Sequence, residues 1–249
     1  MREFIIGINE AGQRLDKYLK KILPNASSGF LYKMLRKKNI TCNKAKMTGK
    51  EQLKKGDRIQ IFFSEETFMK FMQDPEKLKN EFEQLKTLPL KGLRVVYEDE
   101  DILIADKPYN MLSQKAKDHD ISANEYLLGY LIRSGSLELE GFASFRPSVC
   151  NRLDRNTTGL LLMGKSLNGS QTLSQALKDR TIRKFYRALV SGEIKESAHL
   201  AGYLRKDEKT NQVEILEKEA DNASYIETAY EPVADKNGAT ELESHLITG

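Results

Sequence analysis

The sequence of 249 residues is poor in several residue types, with no tryptophan, two cysteines, three histidines and six prolines. Cys42 and Cys150 stand too far apart for a metal-binding motif, and such sparse cysteine is typical of a reducing compartment, so we expect a cytoplasmic protein. No apolar run approaches the roughly 20 residues that a membrane-spanning helix needs. The apolar stretch near the N-terminus is too short for a signal peptide. We therefore predict no membrane segment.

Charge is distributed unevenly, although the net charge is only +4. Residues 1–62 contain 15 Lys and Arg against 5 Asp and Glu, a balance of +10, which leaves −6 for the rest. Such asymmetry between segments favours contact with nucleic acid. The alternative is a solvated basic surface, which is common in small domains.

One short segment, residues 149–159, carries the residue types best suited to catalysis. Asp154 lies between Arg152 and Arg155 on a predicted turn between two strands. A lone Asp in that position is usually a turn or capping residue. Two guanidinium groups nearby, however, keep a carboxylate ionised and suit contacts to phosphate or bases. The pattern predicts a nucleophilic or general-base carboxylate presented to a polyanionic substrate.

This segment resembles the catalytic motif of the RluA-type RNA pseudouridine synthases, with Asn151 where histidine is common and Thr158 where serine is common. Residues 106–113 resemble an upstream motif of the family, although taken alone they fit a plain hairpin exit that ends at a proline equally well. Asn110 replaces a usual glycine there, and asparagine tolerates the positive backbone angle that glycine supplies. Residues 183–192 resemble a third motif, a strand with a Lys-x-Tyr pattern.

The resemblance implies that the protein isomerises uridine to pseudouridine in structured RNA. Asp154 would be the catalytic carboxylate, acting on a base flipped out of its stack. Whether it attacks the sugar, attacks the base or removes a ribose proton stays open. The implied chemistry needs neither a metal nor an organic cofactor, and the scattered histidines are predicted to be surface residues: His119, His199 and His245.

Tyr186 matches the family tyrosine that packs against the target base, and we predict it as a second catalytic residue. Strand alternation places it on the same face as Lys184. Without the resemblance, a tyrosine there indicates a half-buried structural residue. Arg152, Arg155 and Lys184 are predicted to contact RNA, and Arg152 is the candidate to fill the space that the flipped base leaves.

The N-terminal segment resembles the alpha-L RNA-binding domain found in a ribosomal small-subunit protein, some tRNA synthetases and many pseudouridine synthases. Cations on one face of two packed helices offer charges to phosphates and give affinity with little sequence reading. The residues that the resemblance assigns to RNA binding are Arg14, Ser27, Lys33, Arg36, Lys37, Lys38 and Asn43.

We predict an α+β fold in three parts. A small N-terminal α/β RNA-binding domain covers residues 1–63, and a charged, partly helical linker covers residues 64–91. A mixed, largely antiparallel β-sheet catalytic domain with flanking helices covers residues 92–249. Periodicity and turn signals predict helices at 13–23, after Ser27, at 121–134 and at 167–180, and a loop at 142–147. The same signals predict strands at 4–8, at 40–43, from the turn at Gly56 to Ile61, and at 95–97, 102–105, 183–192, 212–216, 224–230 and 238–249.

Relatives of this type continue beyond a Leu-x-Thr-Gly sequence like the one at residues 246–249. The resemblance therefore implies a C-terminally truncated chain, with weak or no catalysis and with RNA binding by residues 1–62 retained. Large-subunit ribosomal RNA is the expected substrate, transfer RNA is an alternative, and a monomer is expected.

Two other functions compete with this interpretation. The first is a non-catalytic RNA-binding protein or inactive fragment. The second is a carboxylate-pair glycosidase, which needs a second acidic residue facing Asp154. Asp106 is the best candidate, but its neighbours Lys107 and Pro108 predict a turn there.

Overall fold

A computed structural model describes residues 1–7, 10–207, 210 and 212–248. The backbone forms two compact units, Met1–Gln175 and Ala176–Gly249. Within the described residues, the units contain three antiparallel sheets and several helices, which confirms the predicted α+β class.

The N-terminal part of the first unit packs two helices on a three-stranded sheet. Its elements are β1 (Arg2–Ile5), α1 (Leu15–Ile22), α2 (Ser28–Arg36), β2 (Ile40–Cys42) and β3 (Arg58–Ile61), with sheet order β1-β3-β2. α1 forms because Leu15 and Leu19 repeat at helical spacing and are both fully buried. Ser27 caps α2 by accepting a hydrogen bond from the Phe30 amide at 3.2 Å. Both predicted helices are confirmed; Ile8, at the end of the first predicted strand, lies outside the described residues.

The segment predicted as a linker forms two helices, α3 (Glu65–Phe71) and α4 (Pro75–Thr87). Proline at the first position and the Asp74 carboxylate, which accepts from the Glu76 amide at 3.0 Å, start α4. Phe68 of α3 packs into the N-terminal core. Phe82 of α4 packs into the core that follows. The segment therefore contributes to both cores.

The remainder of the first unit packs helices on a four-stranded antiparallel sheet of order β4-β5-β7-β6. Its elements are β4 (Arg94–Glu98), β5 (Ile102–Lys107), α5 (Ala123–Arg133), α6 (Leu139–Ser144), β6 (Ser148–Val149), β7 (Gly159–Gly164) and α7 (Leu167–Lys178). β5 alternates because Leu103 and Ala105 face the core. The register pairs Lys107 with Gly159, so the end of β5 lies beside the start of β7.

Two predictions in this region were wrong. Residues 142–147 were expected to be a loop, but their first three residues complete α6, because Phe142 is fully buried beside Phe82. Asp106 was expected in a turn but lies in β5, where its carboxylate pairs with Arg94 at 3.2 Å.

The second unit is built on a five-stranded antiparallel sheet of order β10-β9-β11-β12-β8. Its strands are β8 (Lys184–Ser191), β9 (Ala198–Lys206), β10 (Val213–Leu216), β11 (Ala223–Lys236) and β12 (Ala239–Leu246). The predicted strands at 183–192 and 212–216 are confirmed. The predicted strand at 238–249 is confirmed over β12, and its last residue, Gly249, lies outside the described residues. β11 is longer than predicted, because its pairing with β12 continues past a register shift between Pro232 and Ala234.

Candidate active site

Asp154 lies on the connection between β6 and β7, as the sequence predicted, and its side chain is exposed. The Thr157 amide donates to the Asp154 carbonyl at 3.1 Å, which closes a tight turn immediately after the carboxylate. The connection therefore presents a carboxylate to solvent from a turn with internal hydrogen bonding.

Asn151 fixes the beginning of this connection. Its amide group donates to the Leu160 carbonyl at 3.0 Å, and its carbonyl oxygen accepts from the Leu162 amide at 2.8 Å. The Cys150 amide donates to the Leu162 carbonyl at 2.7 Å just before it. The side chain thus prolongs the pairing with β7 by one residue, so Asn151 has a structural role.

Ser113 holds the peptide group immediately before Asp154. Its hydroxyl donates to the Leu153 carbonyl at 2.7 Å and accepts from the Leu153 amide at 2.9 Å. Ser113 itself is almost fully buried. Since buried backbone groups need partners, this hydroxyl satisfies both polar groups of Leu153.

Lys107 holds the backbone immediately after Asp154. Its ammonium group donates to the carbonyls of Met111 at 2.9 Å, Pro108 at 3.2 Å and Arg155 at 3.3 Å, and the residue is fully buried. Burial lowers the pKa of Lys107 below its usual value, whereas the negative charge of Asp154 acts in the opposite direction. Lys107 is therefore a buried cation whose charge acts on Asp154.

Asn110 lets the segment between Lys107 and Ser113 turn back toward the connection. Its φ of 59° lies in the left-handed region, as predicted for the residue that replaces a family glycine. Because of this turn, one seven-residue segment supplies both side chains that hold the backbone around Asp154.

The two arginines beside Asp154, Arg152 and Arg155, are both exposed. Neither forms an ion pair with a carboxylate among the residues that the structure describes. Their guanidinium groups are accessible to a polyanion, and their contact with RNA stays a prediction.

Tyr186 and Lys184 lie on β8 in the second unit, where Tyr186 pairs with Ser244 and Lys184 with Leu246. Both residues are half-buried and share one face of the strand, as their spacing predicted. The prediction that Tyr186 meets the same base as Asp154 stays a prediction.

Four predicted RNA-binding cations cluster at the end of α2: Lys33, Arg36, Lys37 and Lys38. All four are exposed. Within the described ranges, no carboxylate forms an ion pair with any of them. We refer to these four residues as the α2 basic cluster.

The other three residues predicted to bind RNA have partners inside the protein. Arg14 donates two hydrogen bonds to Asp16, at 3.1 and 2.7 Å. Asn43, with a φ of 52°, donates to Asp57 and accepts from the Arg58 amide, both at 2.9 Å. Ser27 caps α2. These contacts give each a structural role; their role in RNA binding stays a prediction.

No group of three His, Cys, Asp or Glu side chains in the described part of the chain is arranged to hold a metal ion. His119 lies near Asp120, His199 pairs with Glu227 at 2.7 Å, and His245 stacks on Phe185. His199 and His245 line the same pocket of the second unit. Among the same described residues, no helix combines the length and apolarity needed to cross a bilayer.

Sequence reasoning did not assign Lys107 or Ser113 to the site. Lys107 belongs to a segment that resembles a family motif, so its residue type carried a signal. Ser113 closes the same segment, but its contact with Leu153, which lies 40 residues further along the chain, could not be found from local sequence.

Comparison with known proteins places this chain in a family. Residues 101–249 match the family model described as RNA pseudouridylate synthase. The match covers more than half of the chain and includes the Asp154 connection and β8, which defines an enzyme class of RNA-modifying isomerases. The chain belongs to the RNA pseudouridylate synthase family.

Individual relatives agree with the family match. The chain is 30% identical to the ribosomal large subunit pseudouridine synthase C of Rickettsia conorii, over 98% of this chain and 78% of that protein. It is 28% identical to the protein of the same name in Vibrio parahaemolyticus, over 96% of this chain and 70% of that protein.

A solved structure shares the fold. Human RNA pseudouridylate synthase domain containing 4 superposes with a TM-score of 0.50 at 17% identity. The alignment covers 69% of this chain, which spans 64% of the human chain.

Proposed function

We propose that the protein converts uridine to pseudouridine in structured RNA, with Asp154 as the catalytic carboxylate. The observation that supports this most directly is an exposed carboxylate on a connection whose backbone is held on both sides, by Ser113 and by Lys107. Preorganised groups of this kind favour reaction, because the reacting groups are already oriented.

The reaction breaks the bond between the base nitrogen and the ribose and joins the same ribose carbon to a ring carbon of uracil. The ring carbon loses a proton and the nitrogen gains one, so no atom is added and no oxidant is needed. A carboxylate can act as nucleophile or as base in such a sequence. A stacked uridine is out of reach of any side chain, so the target base has to be flipped out of its stack.

The substrate we propose is large-subunit ribosomal RNA, because two relatives carry that target in their names. Arg152 and Arg155 would contact phosphates near the target, and Tyr186 would pack against the flipped base. The α2 basic cluster would bind a part of the RNA that lies away from the target uridine. We propose that the protein acts as a monomer in the cytoplasm, and the two free cysteines fit a reducing compartment.

An Asp154→Asn variant tests this proposal, because the amide keeps the shape of the side chain and removes its charge. Tritium release from ribosomal RNA labelled at the departing ring position should fall at least about a hundredfold. Asp118→Asn, which changes another exposed aspartate, should leave release unchanged.

RNA affinity separates the proposal from the competing function. Both variants should bind RNA as the wild-type protein does. If neither the wild-type protein nor Asp118→Asn releases tritium above Asp154→Asn while all three bind RNA, the protein is a non-catalytic RNA-binding protein.

A further inference from the structure

We propose that Ser113 is a positioning residue of the active site, which fixes the direction of Asp154 by holding the peptide group of Leu153. This inference rests on the proposed function of Asp154. Ser113 does not reach the solvent face on which the carboxylate lies, since only 3% of its surface is exposed.

The hydrogen bonds of Ser113 are complete in both directions. A serine hydroxyl has one proton to donate and lone pairs to accept. Here the proton goes to the Leu153 carbonyl at 2.7 Å, and a lone pair accepts the Leu153 amide at 2.9 Å. The two bonds fix the orientation of both peptide planes that flank Leu153, and the second of these planes leads into Asp154.

Ser113 is itself held by the start of α5. The Ala123 amide donates to the Leu112 carbonyl at 2.7 Å, and the Asn124 amide donates to the Ser113 carbonyl at 3.3 Å. Asn124 also accepts the Val149 amide at 3.0 Å through its side chain. The first turn of α5 therefore anchors Ser113 and the strand that enters the Asp154 connection.

Ser122 and Glu125 form further buried polar contacts next to the Ser113 carbonyl. The Ser122 hydroxyl lies 3.3 Å from the Ser113 carbonyl and donates to the Glu125 carboxylate at 2.6 Å. The same carboxylate accepts the Ser122 amide at 3.0 Å. A satisfied buried network of this kind makes its members rigid, so Leu153 is held by a fixed part of the fold.

The physical consequence concerns geometry. Without the Ser113 hydroxyl, the Leu153 amide and carbonyl lose their partner, and the peptide can rotate to find water. A rotation there would redirect the Asp154 side chain by an ångström or more, and misplacement by about 1 Å can slow catalysis about a hundredfold. RNA affinity should change little, because the α2 basic cluster, which we propose binds the RNA, lies on other elements.

A matched pair of serine variants tests the inference. Ser113→Ala removes the two bonds to Leu153. Ser166→Ala also removes a buried hydroxyl, which accepts the Gly169 amide at 2.9 Å beyond the far end of β7. We expect Ser113→Ala to lower kcat roughly 10- to 100-fold with an unchanged KM. Ser166→Ala should keep kcat within about twofold.

Amide hydrogen exchange supplies a readout that does not depend on activity. In Ser113→Ala, exchange of the Leu153 amide should accelerate at least about tenfold, because that amide loses its acceptor, and in Ser166→Ala it should stay as in the wild-type protein. Equal kcat values for the two variants, or unchanged exchange of the Leu153 amide in Ser113→Ala, overturn the inference. If the wild-type protein is no more active than Asp154→Asn, the proposed function fails, and hydrogen exchange alone decides whether Ser113 positions the loop.

Discussion

At the scale of single residues, the most unusual group is the ammonium of Lys107, which is fully buried with three carbonyl acceptors. Burying an amine costs free energy, and only good partners offset it. The carbonyls of Met111 and Arg155 and the charge of Asp154 supply those partners. The cation therefore links the end of β5 to the carboxylate that we propose as catalytic.

Lys107→Met keeps the volume of the side chain and removes the ammonium. Three carbonyls lose a donor, so the free energy of unfolding should fall by about 1–3 kcal/mol. Pseudouridine formation should fall as well, since the backbone at Arg155 is released. Chemical unfolding and tritium release measure the two effects, with exposed Lys115→Met as the control. Unfolding free energies that agree between the two variants would contradict this role.

Residue types and spacing predicted Asp154 on a turn between two strands, and the structure places it on the connection between β6 and β7. They could not predict which side chains hold its backbone, because these contacts are long-range. Leu153 and Arg155 bind side chains 40 and 48 residues earlier in the chain. Local sequence patterns predict the turn at Asp154, whereas the tertiary fold determines which distant side chains bind its backbone.

At the scale of elements, α4 and α5 approach most closely at Gly129. A Cβ atom placed there would lie 2.3 Å from the Leu85 carbonyl oxygen and 3.1 Å from that of Leu88. Arg133 also donates to the Leu88 carbonyl, so the end of α4 is fixed on α5. The glycine is required for this contact between two backbones.

Gly129→Ala should therefore destabilise the protein. Alanine favours a helix by about 1 kcal/mol over glycine, but overpacking against a backbone costs about 1–3 kcal/mol, so the clash outweighs the propensity. Gly29→Ala is the matched control, because Gly29 lies in α2 with no atom near its Cβ position. Thermal unfolding should give a lower Tm for Gly129→Ala and an unchanged or higher Tm for Gly29→Ala. A higher Tm for both would show that α4 can move away.

Asp16 joins the two helices of the N-terminal part, since Tyr32 of α2 donates to it at 2.8 Å beside Arg14. Burial alone would raise the pKa of Asp16, but the hydrogen bonds from Tyr32 and Arg14 outweigh it and lower the pKa below 3.8. Because the pKa is lower in the folded state, the ionised carboxylate stabilises the fold above pH 3.8. That stabilisation is lost as the pH falls through the lowered value.

Tyr32→Phe tests this hydrogen bond between α1 and α2. The variant should have a lower free energy of unfolding at neutral pH, because it loses the hydrogen bond to Asp16. Its difference from the wild-type protein should shrink as the pH falls from 3.8 through the lowered pKa of Asp16. Urea unfolding across pH measures both, with Tyr109→Phe as an exposed control. A difference independent of pH would mean that the hydroxyl acts through packing alone.

Elements with a clear period were predictable from the sequence, and elements without one were not. α1 and α2 have apolar residues at helical spacing, and Ser27 marks a helix start. α6 spans only six residues, too few to show a period, and its position depends on contact between Phe142 and Phe82 of a distant helix. The length of β11 depends on pairing with β12, which local propensity does not describe.

At the scale of the whole molecule, charge and chemistry are separated along the chain. The α2 basic cluster lies in the N-terminal part, in which residues 1–62 have a balance of +10. Asp154 and the side chains that hold its backbone lie on later elements. We therefore expect affinity for RNA and rate of reaction to respond to different substitutions.

Replacing Lys33, Arg36, Lys37 and Lys38 together by glutamine tests this separation. Each lost phosphate contact lowers the slope of log Kd against log salt concentration by about 0.7–0.9, so the loss of four contacts should lower this slope by about 3. Binding should also weaken at least roughly tenfold. At saturating RNA, kcat should be unchanged, because the Asp154 connection is intact. The matched control replaces four exposed lysines of α3 and α4 by glutamine: Lys70, Lys77, Lys79 and Lys86. If both quadruple variants show the same salt dependence of Kd, the net charge of the protein, rather than the α2 basic cluster, binds the RNA. If kcat falls in the first variant alone, the cluster also orients the target uridine.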